Sequence, residues 1–201
     1  MNNSIDLSKF ENSESDYNAC VGNNGYLNSP NFIDYACGYF HAGDILLNGV
    51  INKNQDNWRV RDTLVYPILF NYRQGIELSL KHFLYNKKLL VLKNVNHKLE
   101  DILKEFLEMA PEIFAEMSIE ELDKILNRIE IATYTLIKFD PGSITFRYPI
   151  DKKEIPTINK IEHINYIRIK EAFKSLSNDI SRLDHDAIYP ELGITEPGYS
   201  I

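Results

Sequence analysis

The stretch Asp62–Tyr85, DTLVYPILFNYRQGIELSLKHFLY, constrains the fold of this chain more than any other. Val65, Ile68, Leu69, Tyr72, Ile76, Leu80 and Phe83 recur at three- and four-residue steps, the spacing of one face of an α-helix of about six turns. Tyr66, Phe70 and Leu84 widen that face, which leaves Asn71, Gln74, Lys81 and His82 as its expected exposed remainder. Pro67 predicts either a kink or the true start of the helix. Arg73 and Glu77 fall inside the widened apolar face, one turn apart, where their side chains can meet. Charges on such a face are costly unless they are paired or functional, so this pair is the strongest chemical signal in the chain.

The other elements read as helices packed around this one. Ser29-Pro30-Asn31 is a helix start, followed by Phe32, Tyr35, Ala36, Tyr39, Phe40, Gly43, Leu46, Leu47 and Val50 at helical spacing. Ala36, Gly38, Ala42 and Gly43 would let another helix approach closely, and Trp58 is expected to cap the core. Asn96 is a candidate N-cap for a third helix with Leu99, Ile102, Leu103, Phe106, Leu107 and Ala110 on its apolar face and Pro111 as its end. His97 would stand at that helix's N-terminus, where the dipole disfavours a protonated ring. Ser118-Ile-Glu-Glu121 reads as a capping box opening a fourth helix, which stops before Asp140-Pro141-Gly142. Ser143–Pro149, SITFRYP, predicts a short extended segment or small hairpin arm. A last helix is expected from about Glu162 to Asp184, with Ile169, Phe173, Leu176, Ile180 and Leu183 as its stripe. The expected organisation is an N-terminal arm over residues 1–30, a helical domain over 31–186 and an irregular tail over 187–201. The fold class is all-α: an up-and-down bundle of four to five helices.

A net charge of −7 over 201 residues argues against a general nucleic-acid coat, though it leaves room for a local basic pocket. The two cysteines, Cys20 and Cys37, lack CxxC or Cys/His metal spacing and read as reduced thiols. The chain shows no signal-peptide pattern and no apolar run long enough to span a membrane, so the expected setting is cytoplasmic. There is no phosphate-binding glycine loop, HExxH, GxSxG or EF-hand pattern, and no cofactor or metal is expected.

What remains is a polar set: Asn71, Arg73, Glu77, His97 and Arg147. Metal-independent cleavage of a phosphodiester needs a group that moves a proton near neutral pH, a role His97 suits. It also needs a cation on the phosphate, a role open to Arg73 or Arg147, with Glu77 orienting Arg73. The structural alternative is a buried Arg73–Glu77 salt bridge, an Arg147 packed on its aromatic neighbours, and a His97 that caps a helix.

The string VYPILFNYRQGIELSLKHFL, then NHKLEDIL, then SITFRYPID, resembles a group of bacterial proteins with the HEPN fold (higher eukaryotes and prokaryotes nucleotide-binding). The similarity runs from about Phe32 to Leu183. It rests on Tyr72-Arg73 and Glu77, on Asn96-His97-Lys98-Leu99, and on Phe146-Arg147-Tyr148-Pro149. The resemblance implies a helical bundle, usually homodimeric with its site at the dimer cleft. Many such proteins are metal-independent ribonucleases of toxin–antitoxin, abortive-infection, CRISPR and other antiviral systems; others bind nucleotides or only proteins. Catalytic members carry Arg and His four to six residues apart on one late helix. Here Arg73 to His82 is too long a spacing and Arg182 to His185 too short, so that motif is not carried over. Two readings follow. One is a defence or stress protein acting on RNA or nucleotides through His97, Arg73, Glu77 and Arg147. The other is a non-catalytic module that dimerises or docks on a larger partner. A small-ligand sensor is a third.

Overall fold

The computed structural model describes residues 32–53, 57–86, 98–157 and 163–188, and within them the chain is a bundle of five helices with no strand. These are α1 (Phe32–Lys53), α2 (Trp58–Asn86), α3 (Leu99–Ile113), α4 (Ile119–Phe139) and α5 (Tyr166–Ile188). The all-α expectation therefore holds. The expected N-terminal arm, His97 and its N-cap Asn96, and all of the expected tail beyond Ile188 lie outside the described residues.

α2 is the axis of the bundle and touches each of the other four helices. It begins earlier than its apolar periodicity suggests, because the Asn57 side chain accepts a hydrogen bond from the Val60 amide at 3.2 Å and so caps the first turn. Pro67 neither starts the helix nor ends it; it sits inside the continuous span. Trp58, expected to cap the core, instead stands 66% exposed on the first turn. Lys81 and His82, expected on the exposed side, are buried. The reason is geometric: a single polar stripe presumes one solvent-facing side, whereas α2 is covered from several directions.

α1 packs antiparallel to α2. Phe32 meets Tyr85 edge-on at 5.7 Å, Phe40 packs on Gly75, and Gly43 packs on Tyr72. Of the small residues expected to mediate close approach, Ala36 and Gly43 are buried, but Gly38 is exposed and a Cβ there would meet nothing within 4 Å. Gly38→Ala should therefore stabilise the protein by up to about 1 kcal/mol through helix propensity alone, measurable as a raised urea midpoint.

α5 runs alongside α2 in the same direction. The Tyr166 hydroxyl donates to the Arg61 carbonyl, Phe173 stacks on Tyr72 at 4.1 Å, and Asp184 lies 2.8 Å from His82 Nε2. Its expected stripe of Ile169, Phe173, Leu176, Ile180 and Leu183 is buried throughout, although the helix starts later than expected and runs on to Ile188, two residues into the expected tail. α3 continues through Pro111 to Ile113, and Phe83, Phe106 and Phe114 form an aromatic cluster between α2 and α3.

The expected capping box on α4 does not form. Ser118 occupies the N-cap with an extended backbone, but its side chain makes no cap bond, and Glu121 pairs instead with Arg182 of α5. The segment after α4 is turned rather than extended. The amides of Arg147 and Tyr148 both donate to the Ile144 carbonyl, and one antiparallel bridge, Ile150 to Pro156, closes a small arm.

Candidate functional site

Arg73 and Glu77 meet as the spacing predicts. Arg73 Nη1 lies 3.2 Å from Glu77 Oε2, and the two residues are 3% and 7% exposed. The pair is part of a longer chain of charges. One further turn along α2, Lys81 Nζ donates to Glu77 Oε1 at 2.6 Å. On the other side, Arg73 Nε lies 3.5 Å from Oδ2 of Asp140, the residue that follows α4 and is 1% exposed. Two cations, Arg73 and Lys81, thus face two anions, Glu77 and Asp140, and the charges of these four described residues balance. Neutrality is what makes such burial tolerable, since removing one member would leave an uncompensated charge in the core.

Asp140 also builds the start of the arm. Its Oδ1 accepts from the amides of Ile144 and Thr145 at 2.7 and 2.8 Å, which folds residues 140–145 into a tight turn and buries Thr145 and Phe146. Sequence reasoning treated Asp140-Pro141-Gly142 only as a helix breaker. Lys81 was missed too, although the Arg73, Glu77, Lys81 register at four-residue steps was a usable signal.

Arg147 does not join the group. Its guanidinium lies on the exposed arm, where Nε donates to the Ser143 carbonyl at 2.6 Å and the charge sits 5.7 Å from the centre of the Tyr148 ring. Asn71 is half-buried on α2. The structure therefore brings Arg73 and Glu77 together and leaves Arg147 apart, with His97 outside the described residues.

Other chemistry-bearing groups lie apart from this set. Asp184 of α5 meets the buried His82 ring. Cys37 of α1 is a free thiol; partial burial first, and then the carboxylates of Asp184 and Asp34, push it up, away from the thiolate a nucleophile needs. A cleft of about 330 Å³ opens between the start of α4 and α5. Its cations each have a carboxylate: Arg128 grips Asp179 with two bonds of 2.6 Å, Lys124 meets Glu120 at 2.7 Å, and Arg182 meets Glu121. Among the described residues, no three His, Cys, Asp or Glu side chains converge as a metal site requires, and no helix is long and apolar enough to cross a membrane.

Tyr72, beside Arg73, ties α1 to the same region by donating to Asp44 Oδ1 at 2.6 Å. Burial above all, and then that bond, push its phenol well above the ordinary tyrosine range. The folded state therefore keeps this proton at pH values where the unfolded chain, titrating near 10, has lost it. Stability linked to Tyr72 is complete below about pH 10 and falls as pH rises beyond it. Tyrosinate absorbance and helical circular dichroism, followed together, should show the last tyrosines ionising only as the helices melt.

No family model, curated protein or solved structure matches this chain.

Proposed function

We propose that this chain is a non-catalytic helical module that dimerises or docks on a larger protein. Its expected setting is a bacterial defence or stress system, and its expected family is HEPN-like. One observation carries the reading: the strongest catalytic candidates, Arg73 and Glu77, are consumed in a buried charge group, with Arg147 held apart on the arm. A phosphate-handling arginine has to reach its substrate, and with the arm closed a guanidinium 3% exposed and flanked by two carboxylates does not. The exposed side of the arm supports docking. Tyr148, Ile150 and Ile155 stand about half-exposed beside Arg147, a tyrosine, arginine and aliphatic composition common at protein interfaces.

The test is direct. Incubated with total RNA in EDTA, the protein should leave the RNA intact. Cleavage by the parent that disappears in His97→Ala would overturn the proposal. His97→Ala is more informative than Arg73→Ala, because the latter damages the core whatever the function. Light scattering on the parent and on Tyr148→Ser/Ile150→Ser then asks whether self-association runs through the arm.

The RNA-acting reading keeps one observation in its favour. Arg147 over Tyr148, with Lys152 and Lys153 exposed nearby, pairs cations with an exposed aromatic ring, as single-strand binders do. Binding of a labelled single-stranded RNA that is lost in Tyr148→Ala and Arg147→Ala would favour it.

A further inference from the structure

Arg73 Nε is the one buried side-chain nitrogen or oxygen among the described residues that lacks a hydrogen-bond partner. The group it faces, Asp140 Oδ2, is within ion-pair range at 3.5 Å but makes no hydrogen bond with it. A guanidinium presents its donors as a planar fork that suits a carboxylate or phosphate group. Here the fork is only partly used. Nη1 serves Glu77, while Nε points at a carboxylate whose other oxygen is already committed to two backbone amides.

The charge arithmetic points the same way. Arg73, Glu77, Lys81 and Asp140 sum to zero; without Asp140 the remaining three, all on α2, sum to +1. Asp140 reaches this position from outside α2, at the start of an arm that Gly142 and Ser143 bend sharply. Ser143 holds φ at 59°, a left-handed conformation that costs a non-glycine residue energy and persists only while its surroundings enforce it. The contact that supplies the missing anion is thus made by a segment with reason to open.

We propose that Arg73 forms the floor of an oxyanion site, suited to a carboxylate or phosphate group, which the chain's own Asp140 occupies in the closed state. An incoming anion would take the place of the Asp140 carboxylate on Arg73, and the arm from Asp140 to Thr157 would swing away with its exposed Tyr148, Ile150 and Ile155. The site would then couple anion binding to how the arm is presented. This inference does not depend on whether the arm docks a protein.

Two measurements test it, with formate and inorganic phosphate as probes and chloride at equal ionic strength as reference. In the parent protein, the Ile144 and Thr145 amides are protected by the Asp140 carboxylate. An anion that binds only the open arm raises the open population by a factor of 1 + [L]/Kd. Hydrogen exchange at these two amides should then be about threefold faster at an anion concentration of roughly twice Kd. In Asp140→Ala the site is vacated, so a bound anion should raise Tm by about 3–6 °C at roughly tenfold over Kd. That rise should vanish in Arg73→Met/Asp140→Ala. A response to phosphate alone identifies a phosphoryl ligand, and a response to formate alone a carboxylate. Unchanged exchange in both anions, an Asp140→Ala protein that neither anion stabilises, or a response that survives loss of Arg73 would each overturn the proposal.

Discussion

Arg73→Ala should destabilise the protein by about 3–5 kcal/mol, among the largest effects available to any single substitution in this chain. The cost is not mainly a lost attraction. Glu77 and Asp140 remain in the core, at 7% and 1% exposure, and of the two cations in this group Lys81 alone stays beside their two negative charges. Deleting Lys81 instead leaves Arg73 beside both carboxylates, so Lys81→Met should cost less than Arg73→Ala. A double-mutant cycle on Arg73 and Asp140, using Met and Asn so that volume and the Asp140 turn bonds are retained, isolates the contact itself. The double variant should be more stable than the sum of the two single losses predicts, because each single change strands a charge that the double change removes. Additive losses in urea denaturation would show that the two side chains do not sense each other. The same cycle bears on the masked-anion proposal, since an Asp140 that is not coupled to Arg73 cannot be occupying its site.

The parts of this arrangement that could be read in advance are those that depend on local periodicity. Arg73 and Glu77 are one turn apart on one helix, so their meeting is fixed by helix geometry alone. The stripe of α5 was equally legible: Ile169, Phe173, Leu176, Ile180 and Leu183 are buried as their spacing requires. What periodicity cannot supply is the partner from elsewhere in the chain. Asp140 reaches Arg73 across 67 positions (140 minus 73), and Asp184 reaches His82 across 102. Nothing in the local sequence of either aspartate announces its target. Periodicity misplaces Lys81 and His82 for a related reason, since the number of neighbours around α2 is a property of the whole bundle. One signal was available but unused. Asp179 stands next to Ile180 and one turn from Leu176 on the apolar side of α5, the same pattern that drew attention to Arg73, and it is buried against Arg128. A charge on an apolar stripe marks a partner even when it does not name one.

Gly75→Ala should destabilise the protein by about 1–3 kcal/mol, although in an exposed helix interior the same change stabilises by up to about 1 kcal/mol. The sign reverses because of one ring. A Cβ at position 75 would lie 2.9 Å from two carbons of Phe40 and 3.0 Å from a third. Phe40 is itself buried and sits 6.3 Å, centre to centre, from the Tyr72 ring, which in turn stacks on Phe173. The ring therefore cannot yield without disturbing the seam that joins α1, α2 and α5. Gly43, the small residue of α1 that faces this seam, is less severe, since its added Cβ would meet Tyr72 at 3.1 Å and a shift of a few tenths of an ångström would relieve it. The order expected in urea denaturation is thus Gly75→Ala least stable, Gly43→Ala intermediate and Gly38→Ala above the parent. Phe40→Leu should recover part of the Gly75→Ala loss by vacating the ring's position, even though Phe40→Leu alone weakens the core. If Gly75→Ala proves as stable as Gly38→Ala, then α1 and α2 do not approach at this level, and the close seam that buries Tyr72 beside Arg73 is not the one that holds the bundle together.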